Sequence, residues 1–292
     1  MTKRTHKIRK AVIPVAGYGT RFLPATKAQP KEMLPLIDKP VIQFIVEEMV
    51  ASGIEEIVLI TSQNKRAIED HFDRSIELED YLRRSGKKKQ LKDVMRVASL
   101  AKFVYVRQPE MRGNGHALLQ ARDIIGDEPF AFAYGDDVYV SQTPVTRQLI
   151  STFEKHHKSV VPVFEAGDAE TEIYGVVEGK PTGDNTYAVK KIMEKPGPRR
   201  TRSRLITCGR YVFTPRIFDE LEKIKPGKGR ELWIADAVER LIKSEGIVAQ
   251  KINGLYFDCG NKLEFAKATV YHALQHPDLK SDFQAYLQEI VK

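Results

Sequence analysis

The sequence predicts an α/β protein built on a central mixed, mostly parallel sheet. Three observations carry that reading. Short apolar runs bounded by turn residues recur, the gaps between them leave room for crossover helices, and after residue 159 the rhythm tightens into shorter, strand-rich pieces. The first run, AVIPVA at 11–16, enters a glycine turn directly. Pro40 opens VIQFIVEEMVASG, whose apolar spacing is helical and whose Gly53 is a suitable stop. IVLIT at 57–61 is the second strand. Between residues 64 and 100, charge alternates with Leu, Val and Ile at helical spacing, so two or three helices precede the third strand, FVYV at 103–106. FAFAY at 130–134 is the fourth, and these four read as buried parallel strands. SVVPVFEA, YGVVEG, YAVKKIMEKP and CGRYVFTP read as strands of the mixed region, and 195–204, rich in Pro, Gly, Arg and Ser, reads as a mobile loop. Helices resume over 215–223, 231–244, 261–275 and 281–291.

A chain of 292 residues with 42% hydrophobic content buries a substantial core as one large domain or two small ones. Its net charge of +8 suits anionic ligands, but the cations are spread along the chain. The clusters at 87–89 and at Arg199, Arg200, Arg202 and Arg204 lack interleaved aromatics, so no nucleic-acid partner is expected. Cys208 and Cys259 are too distant in sequence for a ligand motif and too few for a disulfide framework, which fits a reducing cytoplasm. The basic start followed by an apolar run is interrupted by Pro14 and Arg21 and reads as a first strand rather than a leader; no run approaches a membrane span.

In an open parallel sheet, ligands sit beyond the carboxyl ends of the strands. The reactive residues fall there. After the first strand comes AGYGTR, in which Gly17 and Gly19 let backbone N–H groups approach an anion, with Arg21, Lys27 and Lys31 following as cations. This segment is neither a dinucleotide fingerprint nor a P-loop, since Phe22 stands where a third glycine belongs and no Gly-Lys-Ser/Thr ending is present. RQPEMRGNGH follows the third strand, GDD the fourth, and DCGN the late run LYF. Asp136 and Asp258 are hard oxygen ligands of the kind Mg²⁺ uses. Gln108, with the backbone beside Gly113, has the donors and acceptor to read a pyrimidine edge, and Glu194 and Lys195 can hold sugar hydroxyls and a phosphate. The histidines lack metal-ligand spacing, and no Gly-x-Ser-x-Gly turn or activated cysteine points to covalent hydrolysis.

With the blocks AVIPVAGYGTRFLPATKAQPKEMLP, DKPVIQFIVEE, RAIEDHFD, GHA, GDEPFAFAYGDD, YGVVEG, MEKP, GRYVFTP and FDCGNKLEF in view, nearly the whole chain resembles the bacterial UTP:glucose-1-phosphate uridylyltransferases of the sugar-nucleotide pyrophosphorylase superfamily. The resemblance implies a Rossmann-like three-layer nucleotidyltransferase fold in a single domain, with a nucleotide-binding half at 1–158, a sugar-binding half at 159–260 and C-terminal helices at 261–292. It implies that Ala16, Gly17, Glu32, Gln108 and Gly113 hold uracil and ribose, and that Arg21 and Lys31 hold the triphosphate. Asp136, with Asp258 as second carboxylate, would bind Mg²⁺, and Gly175, Glu194 and Lys195 would hold glucose phosphate. UTP, glucose 1-phosphate, UDP-glucose and pyrophosphate are the implied small-molecule partners, and a homodimer or homotetramer the implied assembly. A dTTP-using thymidylyltransferase and a silent nucleotide-sugar-binding regulator are the alternatives. The chain departs from the family pattern in three places. GRELWIADA, with Arg230 and Trp233, replaces a GEIQLTDA-like stretch; Ser203, Arg204 and Leu205 replace Ser-Asn-Leu; and GNGHA replaces a GLGHA-like loop, a change expected to be harmless because the backbone makes the contacts.

Overall fold

Strand β1 (Lys10–Pro14) buries Ala11, Val12 and Ile13 completely, because it lies inside a ten-stranded sheet and meets a neighbour on each side. The computed structural model describes residues 7–227 and 230–290, so Val291, expected within the last helix, lies outside the described residues. In chain order the elements after β1 are β2 (Pro35–Leu36), β3 (Lys39–Pro40), α1 (Val41–Ala51), β4 (Glu56–Thr61), α2 (Arg66–Phe72), α3 (Ile76–Arg84), α4 (Lys88–Val97), β5 (Lys102–Arg107), α5 (Asn114–Leu119), α6 (Arg122–Ile125), β6 (Phe130–Ala133), β7 (Asp137–Val140) and α7 (Val145–His156). The second half adds β8 (Val160–Glu165), β9 (Gly175–Gly183), β10 (Thr186–Glu194), β11 (Leu205–Thr207), β12 (Arg210–Phe213), α8 (Arg216–Glu222), α9 (Ile234–Ser244), β13 (Val248–Lys251), β14 (Leu255–Asp258), α10 (Lys262–Gln275) and α11 (Lys280–Ile290).

The sheet runs β11-β9-β10-β13-β8-β12-β6-β1-β4-β5. Strands β6, β1, β4 and β5 are mutually parallel, and β8 pairs parallel with β13. The pairings among β9 to β12, and those of β12 with β6 and of β10 with β13, are antiparallel, so the sheet is mixed. Alternating side chains go to opposite faces. Ile13, Leu59 and Ala133 pack with α1, α2 and α7, whereas Val12, Val58 and Phe132 pack with α5, α8 and α9, which makes three layers. Strand β5 differs from expectation. It pairs only with β4, sits at the sheet edge, and its FVYV run is half-buried rather than buried.

Three helices, α2 to α4, fill the insertion before β5. Helix α9 begins three residues later than its apolar spacing suggests, because residues 231–233 are drawn out to pair with another loop. The expected mobile loop is tied down: Thr201 Oγ1 donates to Glu178 (2.7 Å), Ser203 Oγ to the Val177 carbonyl (2.6 Å), and Arg204 pairs with Asp168 (2.6 Å). Among the described residues no helix is long and apolar enough to cross a membrane.

Helix α10 starts where the chain leaves the site, and its first turn is closed by Asn261, whose Oδ1 accepts from the backbone N–H groups of Leu263 (2.9 Å) and Glu264 (3.3 Å). Asn261→Ala leaves those donors unpaired and is expected to cost about 1 kcal/mol. In thermal melts that appears as a fall in Tm of roughly 2–4 °C.

Candidate active site

The loop after β1 is bent back toward the sheet by local bonds. Val15 N–H donates to the Ile60 carbonyl (2.9 Å), Ser62 Oγ to the Ala16 carbonyl (3.0 Å), and Thr26 Oγ1 to the Gly19 carbonyl (2.8 Å). Gly19 holds a left-handed φ of 67°, while Gly17 faces open space. Short 3-10 turns at Thr20–Phe22 and Lys31–Met33 then aim Arg21 and Lys31 at one target. The Arg21 guanidinium lies 3.7 Å from Asp136 and 3.8 Å from Asp258, and the Lys31 ammonium makes a direct ion pair with Asp136.

The two carboxylates meet because β7 and β14 form an antiparallel ribbon in which Asp137 is opposite Asp258, and Cys259 N–H donates to the Asp136 carbonyl (2.9 Å). Burial opposes ionisation of Asp136, but Lys31 and then Arg21 outweigh it and hold its pKa below the usual carboxylate value. Burial likewise opposes the charge on Lys31, yet Asp136 and Glu32 raise its pKa. Burial first and Asp136 second push Asp258 upward, so this side of the pair is short of positive charge. The space between the carboxylates is kept open by Gly260. A Cβ there would overlap Asp136 Oδ2 and stand 2.6 Å from Arg21 Nη2 and 2.9 Å from Asp258 Oδ1. Hard oxygen donors around such a cradle suit a divalent cation that keeps its remaining positions for water and phosphate. Among the described residues no cluster of three or more His, Cys, Asp or Glu side chains offers a closed metal site.

At the end of β5, Gln108 is buried and its amide orientation is fixed. Nε2 donates to the Gly113 carbonyl (3.2 Å) and lies 3.0 Å from His116 Nδ1. Burial, then Arg112, lowers the His116 pKa and favours the neutral ring that accepts here. Oε1 of Gln108 is left without a protein donor among the described residues. Gly113 takes φ 91°, and the backbone of residue 232 lies so close that a Cβ would overlap the Leu232 carbonyl oxygen. In the second half of the chain, Gly175 pairs with Glu194 across β9 and β10, and the exposed Lys195 ammonium lies 3.8 Å from Glu194. Strand β11 links this side to the carboxylates: Thr207 pairs with Gly175, and two residues on Gly209 abuts Asp137.

The structure thus joins Arg21, Lys31, Asp136 and Asp258 in one charged cluster, Gln108 with Gly113 in a second group, and Gly175, Glu194 and Lys195 in a third. Glu32 is placed differently from expectation. It is 1% exposed and its Oε2 is bonded to the buried Lys65 ammonium at 2.8 Å, so its carboxylate supports the loop instead of opening toward a nucleotide. Burial raises the Glu32 pKa against the pull of Lys65 and Lys31.

Comparison with known proteins follows the same line. The family profile described as nucleotidyl transferase matches residues 10–273. The chain belongs to the nucleotidyl transferase family. It is 47% identical over 286 residues to the UTP–glucose-1-phosphate uridylyltransferase YngB of Bacillus subtilis, covering 98% of this chain and 96% of that one. It is 45% identical over 284 residues to the UTP–glucose-1-phosphate uridylyltransferase of Staphylococcus epidermidis, covering 97% and 99%. Among solved structures, a UDP-glucose pyrophosphorylase complexed with UDP-glucose superposes with a TM-score of 0.84 at 39% identity over 92% of this chain and 100% of that chain. The UTP-bound enzyme from Acinetobacter baumannii superposes with a TM-score of 0.90 at 35% identity over 97% and 99%.

Sequence reasoning passed over Lys65, Asp137, Tyr134 and Gly260. Asp137 turns inward from the GDD turn, accepts from Tyr256 OH (2.8 Å), and is pushed up to about 8 by burial and by Asp136. Nothing in a Gly-Asp-Asp turn tells which acid faces outward. Gly260 had a signal in FDCGN, where a small residue follows the carboxylate directly. In this nucleotidyl transferase, Gly260→Ala fills the cradle and is expected to lower turnover about 100-fold by displacing the charged groups. An unchanged circular dichroism spectrum beside a near-normal rate would defeat that expectation.

Proposed function

We infer that the protein is a UTP:glucose-1-phosphate uridylyltransferase, giving UDP-glucose and pyrophosphate. The observation that carries this reading is the convergence of Arg21, Lys31, Asp136 and Asp258 in a chain 45–47% identical, over almost its full length, to enzymes of that name. In this reading the backbone at Ala16, Gly17 and Gly19 receives the nucleotide. Gln108 Oε1 accepts the N3–H of uracil, a proton cytosine lacks, which gives a chemical basis for base choice. Residues 1–158 supply these groups, and residues 159–260 supply Gly175, Glu194 and Lys195 for the sugar phosphate.

Asp136 and Asp258 would hold Mg²⁺, which when bound supplies Lewis-acid stabilisation of charge on phosphate oxygens. Arg21 and Lys31, now neutralised by the carboxylates, would turn to the triphosphate as it enters. A glucose 1-phosphate oxygen attacks the α-phosphorus in line, pyrophosphate leaves with the bonding electron pair, and Lys195 holds the attacking phosphate in place. No protein nucleophile is required, so positioning and electrostatics carry the rate. Free, buried Cys208 and Cys259 suit the reducing cytoplasm. The half-exposed Tyr286 and Ile290 of α11, a helix with no buried residue, suit a homodimer or homotetramer.

Pyrophosphate release from UTP and glucose 1-phosphate with Mg²⁺ is the test, with dTTP run in parallel. UTP is expected to be the better substrate, and a strong dTTP preference overturns the base assignment. Arg21→Ala and Asp136→Ala are each expected to lose about 100- to 1,000-fold in turnover. Wild-type rates in either variant would refute the assigned roles.

A further inference from the structure

Asn114 opens α5, and both ends of its side-chain amide are engaged. Oδ1 accepts from the backbone N–H of Ile234 (2.9 Å), the first residue of α9, and Nδ2 donates to the hydroxyl oxygen of Tyr134 (3.0 Å). The amide cannot be turned round, because an N–H at residue 234 demands an acceptor. The same junction carries two backbone bonds, Gly115 N–H to the Leu232 carbonyl (2.9 Å) and Leu232 N–H to the Arg112 carbonyl (2.8 Å). The loop that holds Gln108 in orientation is therefore backed by residues 231–234, and Asn114 pins both to Tyr134.

Tyr134 stands where the two substrate sides meet. It directly follows β6, two residues before Asp136, its N–H donates to the Gly209 carbonyl (3.2 Å), and its ring packs edge-on against Phe132. With Asn114 donating to that oxygen, the hydroxyl proton has no protein acceptor among the described residues. A phenol so arranged is free to donate to a ligand oxygen.

We propose that Asn114 is a positioning residue that couples the nucleobase loop to the sugar side of the site through Tyr134 and the start of α9. The proposal rests on the uridylyltransferase reading for its substrates. It corrects the expectation that the change from leucine is idle: the backbone still makes the loop contacts, but the side chain adds two bonds that a leucine cannot make.

Three variants test it: Asn114→Leu, Tyr134→Phe and the double. In pyrophosphate-release assays beside the wild type, each single variant raises KM for UTP and KM for glucose 1-phosphate about fivefold while kcat stays within about twofold. The double is no worse than either single, as expected for partners in one bond. Unchanged KM values for Asn114→Leu, or single effects that multiply in the double, overturn the proposal. Hydrogen exchange gives a readout that does not need turnover. Uridine diphosphate slows exchange of residues 231–234 in the wild type and loses that effect in Asn114→Leu; equal protection in both, or none in the wild type, also overturns it. Should Asn114→Leu fail to fold, Tyr134→Phe, which removes one oxygen, carries the kinetic test. A wild type that releases no pyrophosphate defeats the uridylyltransferase reading, and the exchange result then decides the coupling by itself.

Discussion

Keeping two carboxylates close together in a partly dried cleft is the constraint around which this molecule is arranged. Asp136 and Asp258 repel one another, and burial of Asp136 strengthens that repulsion by removing the water that would screen it. The fold offsets it in two ways. The β7–β14 ribbon fixes the backbone so that the acids cannot swing apart, and Arg21 and Lys31 bring two positive charges against them. The crowding explains the small residues nearby: side chains at Gly209 or Gly260 would overlap Asp137 or Asp136. It also explains why Asp137 turns inward to accept from Tyr256 OH, with its pKa raised by burial and by Asp136.

The charged cluster is set up for exchange of partners. Lys31 and Arg21 neutralise Asp136 and Asp258; in the proposed function a dication held by the carboxylates would leave both cations to phosphate oxygens. Glu32 and Lys65 stay outside this exchange. Their buried pair anchors the 3-10 turn that carries Lys31, and removing either partner alone would leave an uncompensated charge in the core.

Much of this was legible in the sequence, for identifiable reasons. The strands of the first half announce themselves because they are buried on both faces and so read as unbroken apolar runs; the edge strand β5 reads as buried too because its apolar residues pack among themselves, Phe103 stacking on Phe72 and on Tyr105. Arg21 and Asp136 could be picked out because they follow β1 and β6, neighbouring parallel strands of the sheet, whereas Asp258 closes β14, which lies outside that sheet in the ribbon with β7. What could not be read was direction. Whether Asp136 or Asp137 faces the cleft depends on the β7–β14 register, and whether Glu32 is open or paired depends on Lys65, which is 33 positions away. The start of α9 was likewise invisible, since its first turn is withheld by bonds to a loop more than a hundred residues earlier.

The turn after β10 shows how the same economy extends beyond the charged cluster. Lys195 holds a φ of 45°, a left-handed conformation that costs a non-glycine residue roughly 1–3 kcal/mol unless its surroundings impose it. They do so here: the Lys195 N–H donates to the Tyr174 carbonyl (3.3 Å), and Glu194 is locked opposite Gly175 at the end of the β9–β10 ladder. A relaxed backbone would let β10 continue and carry the ammonium along the sheet edge. The strained turn instead ends the strand at that point and leaves Lys195 exposed beside Glu194. A backbone cost is thereby exchanged for the placement of one cation.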